Sequence, residues 1–182
     1  MERKQKRKSK EYLDDFRKDL NGNYQYTGSY RRYNGKIARS KMLALLWLLC
    51  GGALAALIAA GCVPAPGAMD RFYVLLPYMA ALVAAVSVVW ALARLTAGGD
   101  PLRSYLYEQT VKALPTRCVL VVAFAGISAV GECVDLYLHG AQGAQIPSLL
   151  YLLLLIASGA ANYAAFALVR RMDYTEESGE KT

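Results

Sequence analysis

The sequence contains only one histidine, His139, among its 182 residues. A single histidine supplies neither an HExxH zinc helix nor a histidine-based catalytic triad. No Walker phosphate loop and no GxSxG nucleophile elbow occurs in the chain. Its four cysteines form no CxxC pair, which argues against a thiolate zinc site. These absences predict a non-enzymatic protein without a metal or another cofactor.

Charge is nearly absent from four long runs of apolar residues. Arg94 is the only charged residue of the second run, Glu132 and Asp135 are the only ones of the third, and the other two runs have none. Each run is long enough for a helix that crosses a bilayer, which needs about 20 mostly apolar residues. β-strands would be shorter and would alternate apolar with polar residues. The runs comprise residues 42–63, 72–97, 118–138 and 148–169.

We therefore predict an all-α integral membrane protein, an antiparallel bundle of four transmembrane helices. The loops at 64–71 and 139–147 are short, which forces neighbouring helices to be antiparallel. Together these loops hold one Lys or Arg, whereas residues 1–41 hold 13 of the chain's 21. Because Lys and Arg mark cytoplasmic flanks, we expect a multi-pass protein of the cell membrane with both termini in the cytoplasm. Residues 171–182 would be a cytosolic tail, and a helix over about 101–114 is expected on the inner membrane surface.

The arm of residues 1–41 combines positive charge with aromatic residues. Its basic start is expected to attract anionic lipid headgroups; nucleic-acid binding is not predicted, because no recognition fold follows. We predict a short amphipathic helix over 10–20, ended by Asn21-Gly22, and a small tyrosine-rich hairpin over 23–35. A hairpin is marginally stable alone, so the arm needs the bundle, lipid or another protein beneath it. The candidate residues for this contact are Tyr12, Phe16, Tyr24, Tyr26, Tyr30, Tyr33, Arg31 and Arg32.

Four polar residues share one face of the third predicted helix. They are Ser128, Glu132, Asp135 and His139, at intervals of four, three and four residues. Charge within a membrane is costly and commonly faces a cavity or a partner. Two carboxyls one turn apart also repel each other, so one of them is expected to hold a proton. This face is a candidate ion or proton site; the alternative is a helix end that becomes wet near the headgroups.

Small residues recur at intervals of four on every predicted helix, which lets helices pack closely in lipid. Such faces pack inside the bundle or against another subunit. Asn162, Ser158 and Ser87 are candidate polar contacts between helices. The leading functional hypothesis is an accessory, adaptor or assembly subunit that binds another membrane protein or a second copy of itself. The alternatives are a small oligomeric transporter or channel that uses the acidic residues of the third helix, and, least favoured, an intramembrane enzyme.

Overall fold

The computed structural model describes residues 16–18, 24–26, 29–140, 143 and 145–177. Four of its helices are long and apolar enough to cross a membrane, which confirms the four predicted helices. In chain order the helices are α1 (Arg39–Gly61), α2 (Pro66–Asp70), α3 (Phe72–Ala97), α4 (Ser104–Gln109), α5 (Leu114–His139) and α6 (Gln145–Val169). The described strands are β1 (Phe16–Lys18), β2 (Tyr24–Tyr26), β3 (Tyr30–Tyr33), β4 (Leu102–Arg103) and β5 (Tyr174–Glu177).

The four long helices form a closed bundle. Each packs against two others, in the circular order α1, α3, α5, α6. Buried residues follow one another at intervals of three and four; on α3 they run through Val74, Tyr78, Ala81 and Ala85. This spacing averages about 3.5 residues, the repeat of helices that cross at about 20° and interlock their side chains. The opposite faces expose large apolar residues such as Leu48, which suits contact with lipid.

The ends of α5 follow from its sequence. Pro115 lies in the first turn, where a missing backbone N–H costs nothing. Gly140 follows the last residue with a φ of 68°, a left-handed conformation that glycine adopts without steric cost. The amide of Gly140 donates a hydrogen bond to the carbonyl of Leu136, which closes the last turn. These signals fix the length of the helix that carries the acidic residues.

Strands β4, β3 and β5 form an antiparallel sheet with β3 in the centre. β3 precedes α1, β4 follows α3 and β5 follows α6, so the sheet ties three parts of the chain together at one end of the bundle. We call this the sheet end, and the opposite end, where α2 lies, the loop end. The rings of Tyr33 and Tyr107 pack edge-on against Tyr174, with centroids 5.4 and 5.2 Å from its ring. Since Tyr107 lies on α4, these contacts join the sheet to that helix.

The helix predicted over residues 10–20 is wrong where the structure describes it, because Phe16–Lys18 is strand β1. β1 pairs antiparallel with β2. The hairpin therefore begins earlier in the chain than the predicted range of 23–35. Asn21-Gly22 is a strong signal for a hairpin turn as well as for a helix end, and the sequence prediction used only the second meaning. Residues 10–15 and 19–20, including Tyr12, lie outside the described residues.

Strand β3 pairs with remote segments and not with its neighbour in the predicted hairpin. Tyr33 lies opposite Tyr174, more than a hundred residues away. The helix predicted over 101–114 is likewise shorter, because Leu102–Arg103 pairs with β3 and only α4 follows it. The tail predicted at 171–182 contributes β5 to the same sheet. Pairings over such separations leave no local pattern in the sequence, which explains these errors.

Candidate acidic site at the loop end

The polar face predicted on the third helix lies on the buried side of α5. Ser128 and Glu132 have no exposed surface, and Asp135 is 5% exposed. His139 lies one turn beyond Asp135 and is exposed at the end of the helix. The heptad-like spacing of the buried positions explains this placement, since Ser128, Glu132 and Asp135 continue the series that begins at Leu114. We call Arg71, Tyr73, Glu132, Asp135 and His139 the acidic cluster.

Asp135 is surrounded by donors. Its Oδ1 atom accepts hydrogen bonds from Arg71 Nε at 3.1 Å and from the Tyr73 hydroxyl at 2.8 Å. His139 Nδ1 lies 3.0 Å from the same oxygen. Arg71 immediately precedes α3, and Tyr73 lies in its first turn, so Asp135 ties the α2–α3 junction to the end of α5. Hydrogen bonds to an ionised partner are stronger than neutral ones, and this set compensates the charge of Asp135.

Glu132 lies one turn deeper and has no such partners. Neither carboxyl oxygen makes a hydrogen bond with any residue that the structure describes. The backbone of α2 closes over it at Gly67, where a Cβ would collide with Glu132 Oε2 and lie 3.1 Å from Oδ2 of Asp135. Both carboxyls therefore converge on the same point of α2. A buried polar group without a partner is costly, and it is a common mark of a functional group.

The hydroxyl of Ser148, in the first turn of α6, faces Glu132. Ser148 is buried, and its Oγ atom also lacks a hydrogen-bond partner among the described residues. The carboxyl of Glu132 and this hydroxyl therefore face each other inside the bundle, without a hydrogen bond of good geometry and without a further described partner. Such a pair can hold a proton or coordinate a small cation.

One turn below Glu132, three hydroxyl groups are paired. The Ser128 hydroxyl donates to the carbonyl of Val74 at 3.1 Å, so the Tyr151 hydroxyl, 3.0 Å away, is the donor to Ser128 Oγ. The Tyr78 hydroxyl donates to the carbonyl of Leu57 at 2.9 Å. These bonds join α5 to α3 and α6, and α3 to α1. Ser128, predicted as part of the ion site, serves here as a tie between helices.

The polar contacts predicted between helices for Asn162, Ser158 and Ser87 are not formed by these side chains within the described part of the chain. The Asn162 amide donates to the carbonyl of Ser158 on the same helix at 3.0 Å, and the Ser158 hydroxyl is buried without a partner. The Ser87 hydroxyl donates to the carbonyl of Ala84. Only the backbone of Ser87 joins two helices, since its carbonyl accepts a 2.8 Å hydrogen bond from Arg117. The half-buried Ser87 thus satisfies its hydroxyl within its own turn.

Part of the predicted contact surface of the arm is occupied within the protein. The guanidinium of Arg31 lies 4.6 Å from the centre of the Tyr107 ring and 3.0 Å from Glu176. Tyr33 packs on Tyr174, as described above. Tyr30 and Arg32 belong to the same strand, and they also interact within the fold. Phe16, Tyr24 and Tyr26 lie in the β1–β2 hairpin.

Sequence reasoning missed the residues that distinguish the two carboxyls. Arg71 and Tyr73, which compensate Asp135, and Gly67, which covers Glu132, come from a segment more than 50 residues before the two carboxyls. Arg71 carried a usable signal, because it is the only Lys or Arg in the two short loops. A lone base at the end of an apolar segment is a candidate partner for a buried acid. Gly67 carried no such signal.

Among the described residues, no group of three or more His, Cys, Asp and Glu side chains is arranged to hold a metal ion. No family model, no curated protein and no solved structure matches the chain.

Proposed function

We propose that the protein is a non-enzymatic multi-pass membrane subunit whose N-terminal arm docks on another protein. The four apolar helices support the membrane location. The 13 Lys and Arg residues of positions 1–41 support a cytoplasmic arm. The observation that carries the docking role is the β1–β2 hairpin.

The hairpin has little support from the rest of the described fold. Its main contacts are those between its own two strands, with Lys18 opposite Tyr24. An isolated two-stranded hairpin is marginally stable in water. By contrast, β3 has a neighbour on both sides. A surface that covers the hairpin would explain why a short, aromatic pair of strands precedes the bundle, and a partner protein supplies such a surface.

The outer face of α1 supports contact with a further membrane helix. Ala55 and Ala59 are exposed, as is Gly52. A Cβ on Gly51 or Gly52 would meet nothing within 4 Å, so this small-residue face is not used inside the bundle. Faces of this kind allow close approach of two helices in lipid. A second copy of the chain or another subunit fits this face.

The docking role is tested by deleting residues 1–28, which removes the hairpin and leaves β3 in the sheet. Crosslinking in native membranes should then lose the constant protein neighbour of the full-length chain, while membrane insertion persists. Deleting residues 1–15 is the matched control, because it removes most of the basic start and keeps the hairpin. Recovery of the same neighbours after the longer deletion, or adducts with lipid alone from a photocrosslinker at Tyr24, would contradict the proposal.

The proposed orientation has its own test. Cysteines introduced for Glu108, at the sheet end, and Gly143, at the loop end, report sidedness with a membrane-impermeant thiol reagent. Exposed Cys62 and Cys133 are first replaced by Ser. Labelling from outside at position 143 and protection at position 108 agree with cytoplasmic termini; the reverse pattern contradicts them.

Proton- or cation-coupled transport is the second candidate, and the unpaired carboxyl of Glu132 favours it. In proteoliposomes, Glu132→Gln should abolish proton- or cation-linked flux, because the amide cannot release a proton. Ser158→Ala is the matched control, since it alters another buried, unpaired group on the neighbouring helix α6. Absence of flux in the unaltered protein, or equal flux in Glu132→Gln, rejects this candidate.

A further inference from the structure

A cavity of about 540 Å³ opens at the sheet end, between the start of α1 and the end of α6. It lies at the level where the apolar helices meet the polar ends of the chain, since α1 begins at Arg39 and α6 ends at Val169. Basic side chains line one part of it, namely Lys36, Arg170 and Arg171. We call this the basic cavity.

Positive charge dominates the basic cavity. Among the residues that the structure describes, three cationic side chains line it against the single carboxylate of Asp173. Lys36 and Arg171 are exposed, and neither forms a salt bridge with any residue in the described part of the chain. Arg170 lies over the Phe166 ring at 5.5 Å, which fixes the direction of its side chain. An anion therefore meets cations that are not already compensated.

Tyr33 also lines the basic cavity. Its hydroxyl is buried, so Tyr33 contributes packing to the cavity wall and no contact with an anion.

The remaining lining is apolar. Ile37, Met42 and Leu168 form this part, and Ile37 is 45% exposed. A free phosphate ion has no group that would contact these side chains. A phospholipid has both an anionic headgroup and acyl chains, and the cavity lies at the depth where these two parts join. Basic pockets between transmembrane helices on the cytoplasmic side are typical sites for anionic lipid headgroups.

We propose that the basic cavity binds one anionic phospholipid, with its phosphate on Lys36, Arg170 and Arg171 and its acyl chains along Ile37 and Leu168. The chain's own start does not suit this position, because residues 1–10 hold six Lys and Arg. The lipid is a structural or regulatory ligand of the membrane domain. This role is independent of docking by the hairpin.

The test uses the full-length protein in nanodiscs of phosphatidylcholine that contain phosphatidylglycerol, with bound lipid counted by native mass spectrometry. The double variant Lys36→Gln/Arg171→Gln should weaken phosphatidylglycerol binding by about 25-fold, since each basic residue that contacts the headgroup contributes about fivefold. Lys41→Gln/Lys112→Gln is the matched control. It removes the same charge at the same end from exposed residues that do not line the cavity. We expect less than about a twofold change from it.

A variant that binds the lipid more tightly cannot be explained by loss of folding, so it tests the site directly. Asp173→Asn removes the one acidic side chain of the cavity and keeps its backbone carbonyl, which accepts a 2.9 Å hydrogen bond from Asn34. It should tighten phosphatidylglycerol binding by about threefold. Equal weakening by the control pair, or unchanged binding in Asp173→Asn, would overturn the assignment to this cavity.

Two further experiments test which anionic group occupies the basic cavity. Millimolar inorganic phosphate should not displace the lipid; full displacement would overturn the lipid and indicate a site for free anions. Deleting residues 178–182 should leave lipid binding unchanged. A marked increase would mean that the chain's own carboxyl terminus occupies the cavity, and would also overturn the proposal.

Discussion

In the acidic cluster, Asp135 is buried and one of its oxygens accepts two hydrogen bonds, whereas in the basic cavity Lys36 and Arg171 are exposed. The two features lie at opposite ends of one bundle. Asp135 holds the α2–α3 junction against α5, so its charge is used in the fold. The cations of the cavity hold no described segment together by a salt bridge. In this comparison, a charge that has a partner within the protein stabilises the fold, whereas a charge without such a partner is available to bind a ligand.

Glu132 allows a second comparison, because it lies beside Asp135 but differs from it in its partners. Both carboxyls are buried on the same helix face, one turn apart. Asp135 forms a salt bridge with Arg71, and Glu132 has no described hydrogen bond. Burial alone therefore does not separate a carboxyl that has partners from one that has none. The hydrogen-bond and ion-pair partners that other segments supply distinguish the two carboxyls, and substitutions can test this difference.

The largest effect is expected at Gly67, where the loop end closes over Glu132. Gly67→Val would push side-chain atoms into the Glu132 carboxyl and towards Asp135. We expect the free energy of unfolding in detergent to fall by about 2–3 kcal/mol, the usual cost of overpacking. The double variant Gly67→Val/Glu132→Ala should recover most of the lost stability, because it lacks the carboxyl with which the valine side chain collides.

Gly126→Val on α5 is the control, because a Cβ at that position meets nothing within 4 Å. It should change the free energy of unfolding by less than about 1 kcal/mol. If Gly67→Val is as stable as this control, α2 does not close over Glu132 and the two carboxyls do not share its environment.

The two carboxyls should respond differently to neutralisation. Asp135→Asn removes the charge that pairs with Arg71 and lies beside His139, and should lower the free energy of unfolding by about 1–2 kcal/mol. The partners are more than a third exposed, which limits the effect. Glu132→Gln breaks no described hydrogen bond and should stay within about 1 kcal/mol. Thermal unfolding of both variants in the same detergent measures the difference, and equal losses would remove the distinction between them.

The four membrane helices could be predicted from the sequence because each depends on a local property. A lipid environment requires about 20 consecutive apolar residues and accepts an all-round apolar helix. The face of α5 that carries Ser128, Glu132 and Asp135 could also be predicted, because helical spacing alone places them together. The predicted and observed ends of these helices differ slightly, because the sequence marks the terminal turns less clearly than it marks the apolar runs.

The partners of these residues could not be predicted, because the fold brings them from distant segments. Arg71 and Tyr73 reach Asp135 only after α3 packs on α5. Strand β4 has two residues, too few for any periodic pattern, and it exists because β3 lies beside it. Local sequence signals describe elements, and the site depends on how the elements meet.

The next prediction concerns whether the sheet end opens independently of the bundle. Tyr174→Ala removes the ring that packs against both Tyr33 and Tyr107, and should destabilise the sheet by about 1 kcal/mol. Amide hydrogen exchange should then accelerate by about fivefold across β3. The amides of α3 and α5 should keep their protection, because the bundle core does not depend on this ring. Equal acceleration in these helices would show that both ends unfold as one unit.

The smallest effect at neutral pH is expected from removing only the Tyr174 hydroxyl, which is buried without a described partner. Burial raises the pKa of Tyr174 to about 12; Tyr33 and Asp100 add to the rise, and Arg39 opposes it. An unfolded tyrosine ionises near pH 10, so this group's contribution to stability is full below pH 10 and is lost as pH rises towards 12. Tyr174→Phe should therefore change neutral stability by less than about 0.5 kcal/mol and lack this alkaline loss. Subtracting its tyrosinate titration from that of the unaltered protein should leave one group with a midpoint near pH 12, whereas a midpoint near pH 10 would mean that the sheet end does not enclose Tyr174.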